Sequence, residues 1–253
     1  MFDRRLIAAD VLKLRRRRGM LSISLLLTLG AMALVFIVMA IQHAGNPAEY
    51  GPAGGLENYQ EDIRIVALMA LVVGAIVGAT AGTQDLETGV FRDLPATGRS
   101  RTALFASRVL GAWVVVLPIV ALTAGFTGAA SVALAGSPAG PSASALLAGT
   151  AEVAAAGALG TAMAVGLSVL VGSRGPLIGI LLAFYLAVQP LLEAMRLLGD
   201  LRQGIPEVAV NRIGDLPPGA AGHVALVTAI IVVVAWSAAA LSLGAWRTKT
   251  REI

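Results

Sequence analysis

The sequence predicts an all-α integral membrane protein with six transmembrane helices and an amphipathic interfacial helix at the N-terminus. Three observations lead to this fold class. The chain is 57% hydrophobic and only 13% charged, with a mean hydropathy of +0.82, and a soluble globule could not cover that much apolar surface. It contains six long apolar runs, and its basic residues cluster in alternate connections between them. We expect one transmembrane domain over residues 1–253.

Each of the six runs is long enough to cross a bilayer as a helix. About 20 residues are needed, because the hydrocarbon core is about 30 Å thick and a helix rises about 1.5 Å per residue. The predicted spans cover residues 20–42, 65–83, 104–130, 143–172, 177–192 and 223–246. Arg108 interrupts the third run early, Glu152 lies inside the fourth, and the short fifth run carries Pro190 near its end.

The distribution of lysine and arginine predicts the orientation. The N-terminal tail, the C-terminal tail and the connections after the second and fourth spans hold 15 of these residues. The other connections hold Arg64, Arg196, Arg202 and Arg212. Short basic loops stay in the cytoplasm, so we expect both termini to be cytoplasmic and the number of spans to be even. The excess of arginine over lysine, with many alanines and glycines, is typical of a GC-rich bacterial genome, so we expect a bacterial plasma membrane.

Residues 1–19 are predicted to form a basic helix in the membrane interface. Ile7, Val11 and Leu14 fall on one side at helical spacing, while Arg4 and Arg5 begin a run of basic residues. A plain topogenic charge cluster is the alternative interpretation of this tail. A cleavable signal peptide is the alternative for the first span, but its apolar run is longer than the usual core of about 7 to 15 residues.

The predicted outer connections differ in character. An acidic stretch with Gly and Pro follows the first span, and a small-residue turn follows the third, so both are interpreted as connectors. The acidic residues of the first are Glu49, Glu57, Glu61 and Asp62. Residues 193–221 are longer and mix apolar with charged side chains, which predicts short helices on or in the outer leaflet.

The sequence excludes most catalytic and binding chemistry. No cysteine is present, which rules out disulfides, thiol nucleophiles and thiolate metal sites. Neither an HExxH zinc motif nor a GxxxxGK[ST] phosphate-binding loop occurs, so we expect no catalytic residue, metal or cofactor in this chain. Paired aspartates of an intramembrane protease would lie within spans, whereas Asp200 and Asp215 fall in the outer segment. The net charge of +4 comes from residues beside apolar runs, so no nucleic-acid partner is expected.

Two features inside the predicted spans are candidate site residues, one for the transport path and one for helix packing. Glu152 is the one acid well inside a predicted span, where burying an ionisable group is costly, so it is a candidate for the transport path. The alternatives are that Glu152 lies near the outer interface, or that ordinary hydrogen bonds hold it protonated. Gly74, Gly78 and Gly82 recur at every fourth residue of the second span, so another helix can pack closely there, either in the same chain or in a second copy.

The cytoplasmic stretch over residues 84–103 is the most informative part of the sequence. Gly89 can turn the chain, Pro95 ends a short helix, and the neighbouring charges can meet a polar partner. The candidate coupling residues are Glu87, Thr88, Gly89, Phe91, Arg92, Asp93, Leu94, Pro95, Arg99 and Arg101. An ordinary solvated loop is the alternative interpretation.

This stretch resembles the loop between the second and third spans of the permease subunits of type-2 ABC exporters. That loop has an acid, Gly-Thr, a short amphipathic turn, Leu-Pro-x-Ser/Thr-x-Arg and then a helix carrying Lys. Here Val90 replaces the usual Thr and Arg108 replaces the usual Lys. The basic interfacial helix, the six spans and the outer segment before the last span also match that family's layout, so the resemblance covers nearly the whole chain.

The resemblance implies the transmembrane permease subunit of an ATP-binding cassette exporter. It implies two copies of a separate ATPase subunit, which bind ATP and Mg, and a second permease chain, identical or different. The stretch over residues 84–103 would be the coupling helix that docks on the ATPase. Few charges line the spans, which favours an amphiphilic or hydrophobic cargo such as a drug, lipid or peptide. The alternative is an ion- or proton-coupled secondary transporter with Glu152 as its titrating site.

Overall fold

The structure is a computed structural model that describes residues 4–87, 100–136, 138–214 and 224–250. The described elements are helical. They are α1 (Arg4–Arg15), α2 (Arg18–Leu25), a π-helix (Leu26–Gly30), α3 (Ala31–Gly45), α4 (Leu56–Glu87), α5 (Arg101–Ala133), α6 (Ala143–Val171), α7 (Arg174–Ala183), a second π-helix (Phe184–Val188), α8 (Gln189–Ala194), a 3-10 helix (Arg196–Gly204), α9 (Pro206–Ile213) and α10 (Leu226–Thr250).

Six helical stretches in the described part of the chain are long and apolar enough to cross a membrane. They are Arg18–Gly45, Leu56–Asp85, Arg101–Ala133, Ala143–Val171, Arg174–Ala194 and Leu226–Thr250. Each overlaps one predicted span. The predictions of an all-α fold and of a multi-pass membrane protein are therefore confirmed at this level.

The second candidate span begins earlier than predicted. The sequence pattern starts it at residue 65, because the preceding stretch is acidic, whereas α4 already begins at Leu56. Glu57, Glu61 and Asp62 therefore lie on helix and not in a connector. Charged residues end the apolar run but do not end the helix, since glutamate is compatible with helical backbone and stabilises the first turn through the helix dipole.

The helices α4 and α6 form the centre of the molecule. In the most apolar part of each, 72% of the residues are buried, against 22% for the first and fifth candidate spans and 11% for the last. Small residues make this possible. Gly160 of α6 lies against the backbone of Leu71 in α4, where a side chain would collide with backbone atoms. The first, fifth and sixth candidate spans consequently lie at the periphery.

Two candidate spans are interrupted by single turns of π-helix, Leu26–Gly30 in the first and Phe184–Val188 in the fifth. Such turns widen the helix locally and occur often at functional sites. Within the second, Tyr185 is fully buried and its hydroxyl lies 3.6 Å from the sulfur of Met163 in α6. This contact anchors a peripheral span on the central pair.

The N-terminal helix and the segment before the last candidate span lie outside the six long helices. α1 packs on the first half of α5 and buries Leu14, which is 1% exposed. Between α8 and α10 lie two short elements, the 3-10 helix and α9. Residues 215–221 of the predicted outer segment lie outside the described residues, and its placement at the outer leaflet stays a prediction. The indole N–H of Trp236 in α10 donates to the carbonyl of Gly204, which ties this segment to the last span.

Candidate functional site

A buried ion pair joins the end of α4 to the beginning of α5. The guanidinium Nη2 of Arg108 donates to Oδ2 of Asp85 at 2.9 Å. Arg108 is 3% exposed and Asp85 is 7% exposed, so both charges are largely removed from water. Desolvating two charges is costly and is offset only when they pair with good geometry. The two helices are therefore held together by a contact that strongly disfavours separation of its partners.

Helix α1 adds a second carboxylate and a second cation to the Asp85–Arg108 pair. The ammonium of Lys13 lies 3.3 Å from Oδ1 of Asp85 and 3.6 Å from Oδ1 of Asp10. The hydroxyl of Ser107 in α5 donates to Oδ2 of Asp10 at 2.7 Å. We call these five residues, Asp10, Lys13, Asp85, Ser107 and Arg108, the three-helix cluster. Its two carboxylates balance its two cations.

Close packing brings α1 near enough to complete the three-helix cluster. Gly111 of α5 has no side chain, and a Cβ there would lie 2.9 Å from Cβ of Asp10. A small, partly open space of about 10 Å³ remains between the helices, lined by Leu14, Ala81 and Gln84 with the charged groups. This is roughly the space that one water molecule requires. Displacing α1 would thus disturb charges on α4 and α5 together.

Most of the predicted coupling residues fall outside the described part of the chain. They are Thr88, Gly89, Phe91, Arg92, Asp93, Leu94, Pro95 and Arg99. The structure describes the two ends of the stretch, Glu87 at the end of α4 and Arg101 at the start of α5. Ser100 is the N-cap of α5, and its side-chain oxygen accepts the N–H of Ala103 at 3.2 Å.

Glu87, within the predicted coupling stretch, contacts the fifth candidate span. Its Oε1 accepts the backbone N–H of Arg174, the first residue of α7, at 2.7 Å. The N–H groups in the first turn of a helix have no partner within the helix, and a carboxylate there is also favoured by the helix dipole. The end of α4 is therefore in contact with α1, α5 and α7.

The glycines at every fourth position of α4 lie against α6 of the same chain. A Cβ on Gly74 would meet the backbone of Gly157 and Thr161, and one on Gly78 would meet Thr161 and Ala164. A Cβ on Gly82 would collide with the side chain of Ser168 in α6. The packing that these glycines make within the chain leaves no room for a second copy at this stripe.

Glu152 is fully buried in α6. Its exposure is 0%, and neither carboxylate oxygen has a hydrogen-bond partner among the described residues. Gly214, at the end of α9, packs directly on the carboxylate, so any side chain at that position would overlap it. One turn earlier, Gly149 lies against Tyr59 of α4. The acid therefore lies in the interior, where α4, α6 and the end of α9 meet.

No protein-family model matches the chain, and a search of the curated proteins found no match. The chain is thus a helical protein with six candidate membrane-spanning helices in its described part. That class implies association with a lipid bilayer. Among those same residues, no group of three or more His, Asp or Glu side chains could hold a metal ion.

None of the five members of the three-helix cluster was among the site residues predicted from the sequence. Asp85 and Arg108 stand near the ends of neighbouring apolar runs with opposite charges, and that pairing could have been inferred. Asp10 and Lys13 lie one helical turn apart in a tail that carries many other charges. Nothing in the spacing distinguishes them from their neighbours, because only the packing of α1 on α5 selects them.

The stretch between α8 and α10 contains a partly buried acid, Glu207 in the first turn of α9. Its backbone N–H donates to Oε1 of Gln189 at 3.0 Å, while its own Oε2 has no hydrogen-bond partner within the described ranges. Burial, and then the negative charge of Glu193, raise the pKa of the Glu207 carboxyl above its usual range. Protonation of Glu207 would therefore favour the packed form of this segment.

Proposed function

We propose that the chain is the transmembrane permease subunit of an ATP-driven exporter. It works with a second permease chain, identical or different, and with two copies of an ATPase subunit that bind ATP and Mg. The permease carries an amphiphilic or hydrophobic cargo, such as a drug, lipid or peptide, out of a bacterial cell. Both termini lie in the cytoplasm, together with the coupling stretch over residues 84–103.

The three-helix cluster is the observation that best supports this proposal. A coupling stretch is useful only if its displacement reaches the spans. Asp85 lies three residues before the undescribed part of the stretch, and Arg108 lies nine residues after it. Their 2.9 Å ion pair joins the two flanking helices, and Lys13 joins α1 to the same carboxylate.

Motion at the coupling stretch would therefore move several elements as a unit. A push from an ATPase on residues 88–99 would reach α4 and α5 through the chain, and α1 and α7 through the contacts of Lys13 and Glu87. Binding of ATP can shift the permease between conformations only if the ATPase contacts differ between them. Rigid connection at the cluster is what would turn such a difference into a rearrangement of the spans.

Copurification tests the proposal. The parent chain, extracted from its host membrane in mild detergent, should retain a protein that carries a GxxxxGK[ST] motif and hydrolyses ATP. The double variant Phe91→Asp/Leu94→Asp should insert normally and lose that protein, because it removes the apolar anchor of the coupling stretch. Glu49→Gln, in the connection after the first span, is the matched control and should retain it. Equal recovery with all three chains would contradict the coupling assignment.

An ion- or proton-coupled secondary transporter is the second candidate, and Glu152 favours it. A fully buried carboxylate without a hydrogen-bond partner in the described residues is a place where a proton or cation could bind. Purified chain in sealed vesicles, without any ATPase, should then transport its cargo in response to a pH or sodium gradient. Transport that requires ATP and a partner subunit would reject this candidate.

A further inference from the structure

An open groove runs along the exposed side of the contact between α1 and α5. Its volume is about 520 Å³. Apolar side chains of Ile7, Val11 and Leu12 form one wall, and Val114 of α5 forms the other. Leu12 and Val114 are 52% and 53% exposed, so the groove presents its apolar surface outward.

The groove has a basic residue at each end. Arg4 and Arg15 are exposed, both line the groove, and neither forms an ion pair with a carboxylate in the part of the chain that the structure describes. They are 11 residues apart, which is about three turns and about 16 Å along the helix, so they point to nearly the same side. None of the described residues that line the groove is acidic. An anion at either end would therefore meet positive charge that no described carboxylate in the groove offsets.

The opposite side of α1 is already occupied. On that side, Asp10 and Lys13 belong to the three-helix cluster. Leu14, at the edge of the apolar side that also carries Ile7 and Val11, is buried in the main core. The helix is thus held in place by one side while the side with the groove remains unpartnered within the described chain. Within the described ranges, its exposed apolar residue Leu12 is left open to a binding partner.

The position of the groove along α5 matches the boundary between lipid headgroups and hydrocarbon. α5 has 33 residues, which corresponds to about 50 Å, well beyond the hydrocarbon thickness of about 30 Å. The charged cluster at Arg108 and the exposed apolar residue Val114 are less than two turns apart. A molecule in this groove would therefore have a polar end at the level of the headgroups and an apolar end in the bilayer.

We propose that this groove is a binding site for an anionic phospholipid of the surrounding bilayer. The phosphate binds Arg4 or Arg15, whose guanidinium groups suit phosphate oxygens, and an acyl chain lies along Val11, Leu12 and Val114. A zwitterionic lipid offers the same acyl chain without net charge, so it gains less from two arginines. The site would stabilise α1 against α5. It does not depend on the proposed function, because a secondary transporter would carry the same groove.

Lipid binding to the purified full chain tests the proposal. Native mass spectrometry of the chain in detergent would be used to titrate dioleoyl-phosphatidylglycerol against dioleoyl-phosphatidylcholine. The parent should bind phosphatidylglycerol more tightly. The double variant Arg4→Gln/Arg15→Gln should bind it about 30-fold more weakly, which corresponds to about 2 kcal/mol for two basic residues near a membrane surface.

Arg16→Gln/Arg18→Gln is the matched control, since it removes the same charge from the same tail outside the groove. Its affinity should stay within a few-fold of the parent. Equal binding of both lipids to the parent, or equal losses in both arginine variants, would overturn the proposal by showing general attraction to a basic tail.

A second variant fills the apolar part of the groove without changing charge. Val114→Trp should weaken phosphatidylglycerol binding, whereas Leu122→Trp, on an exposed position of the same helix, should not. Unchanged binding in Val114→Trp would overturn the proposed acyl-chain path. If Val114→Trp instead dissociated a dimer or released a bound protein without affecting lipid, the groove would be a protein interface and the lipid proposal would be wrong.

Discussion

Breaking the Asp85–Arg108 ion pair should destabilise the membrane-embedded fold by several kcal/mol. Removing one member of a buried pair typically costs about 3 to 5 kcal/mol, because the remaining charge stays buried. Asp85 also contacts Lys13, whose side chain is 43% exposed. In Arg108→Met the carboxylate keeps that partner, so we expect a loss near the lower limit, about 3 kcal/mol.

Asp85→Asn should lower the free energy of unfolding more than Arg108→Met. It removes the negative charge that pairs with two cations, so we expect a loss nearer the upper limit, about 4 to 5 kcal/mol. The double variant should be less destabilised than the sum of the two, with a coupling energy of about 2 kcal/mol, because a pair is lost only once. Lys13→Met is the control and should cost less than about 1 kcal/mol, as partly exposed pairs do.

Unfolding by sodium dodecyl sulfate in mixed micelles, followed by the fluorescence of the 3 tryptophans, measures these differences. The loss of stability should decrease in the order Asp85→Asn, Arg108→Met, Lys13→Met. The double variant Asp85→Asn/Arg108→Met should lose clearly less than the sum of its two single changes. If the two buried-pair variants were as mild as Lys13→Met, or if their effects simply added, the pair would not hold α4 to α5.

Three further predictions follow from the packing. Gly78→Leu should destabilise the fold by about 1 to 3 kcal/mol through overpacking, whereas Gly125→Leu, at a position that faces open space, should not. Thermal unfolding in detergent measures the stability of both variants. Equal effects would contradict the close contact between α4 and α6 at Gly78. Glu152→Gln should preserve ATP-driven transport with unchanged pH dependence, and loss of proton coupling would instead support the secondary transporter. Because folding raises the pKa of the Glu207 carboxyl, this group's contribution to stability is greatest below the ordinary glutamate pKa and is lost as the pH rises. Amide hydrogen exchange in α9 of the parent should therefore speed up at high pH by more than the intrinsic exchange rate does, whereas in Glu207→Gln it should not. Identical pH profiles of exchange in the two chains would contradict this.

The positions of the long helices could be predicted because hydrophobic length is a property of the sequence itself. The predicted fourth span, residues 143–172, differs from α6 by one residue at its C-terminal end. Ser142 caps its N-terminus and Gly172, at a φ of +75°, ends it, and both residue types favour those roles. Span 2 was predicted less well, since charges mark where an apolar run stops and not where a helix begins.

The partners of the polar residues could not be predicted, because they depend on which helices pack together. Gly74, Gly78 and Gly82 indicated a close helix contact, but not that α6 makes it. Glu152 was identified as unusual, yet its complete burial depends on Gly214, which is 62 residues away in the chain. The three-helix cluster joins residues as much as 98 positions apart, and no local pattern connects them.

ATP hydrolysis in reconstituted membranes tests the central claim most directly. The parent chain would be reconstituted with the ATPase that copurifies with it, beside Phe91→Asp/Leu94→Asp and the Glu49→Gln control. The account predicts that the parent and the control stimulate hydrolysis, and that the double variant, though correctly inserted, does not. Equal stimulation by all three, or no effect of the parent on any ATPase, would contradict the assignment of residues 84–103 as a coupling stretch and of the chain as a permease subunit.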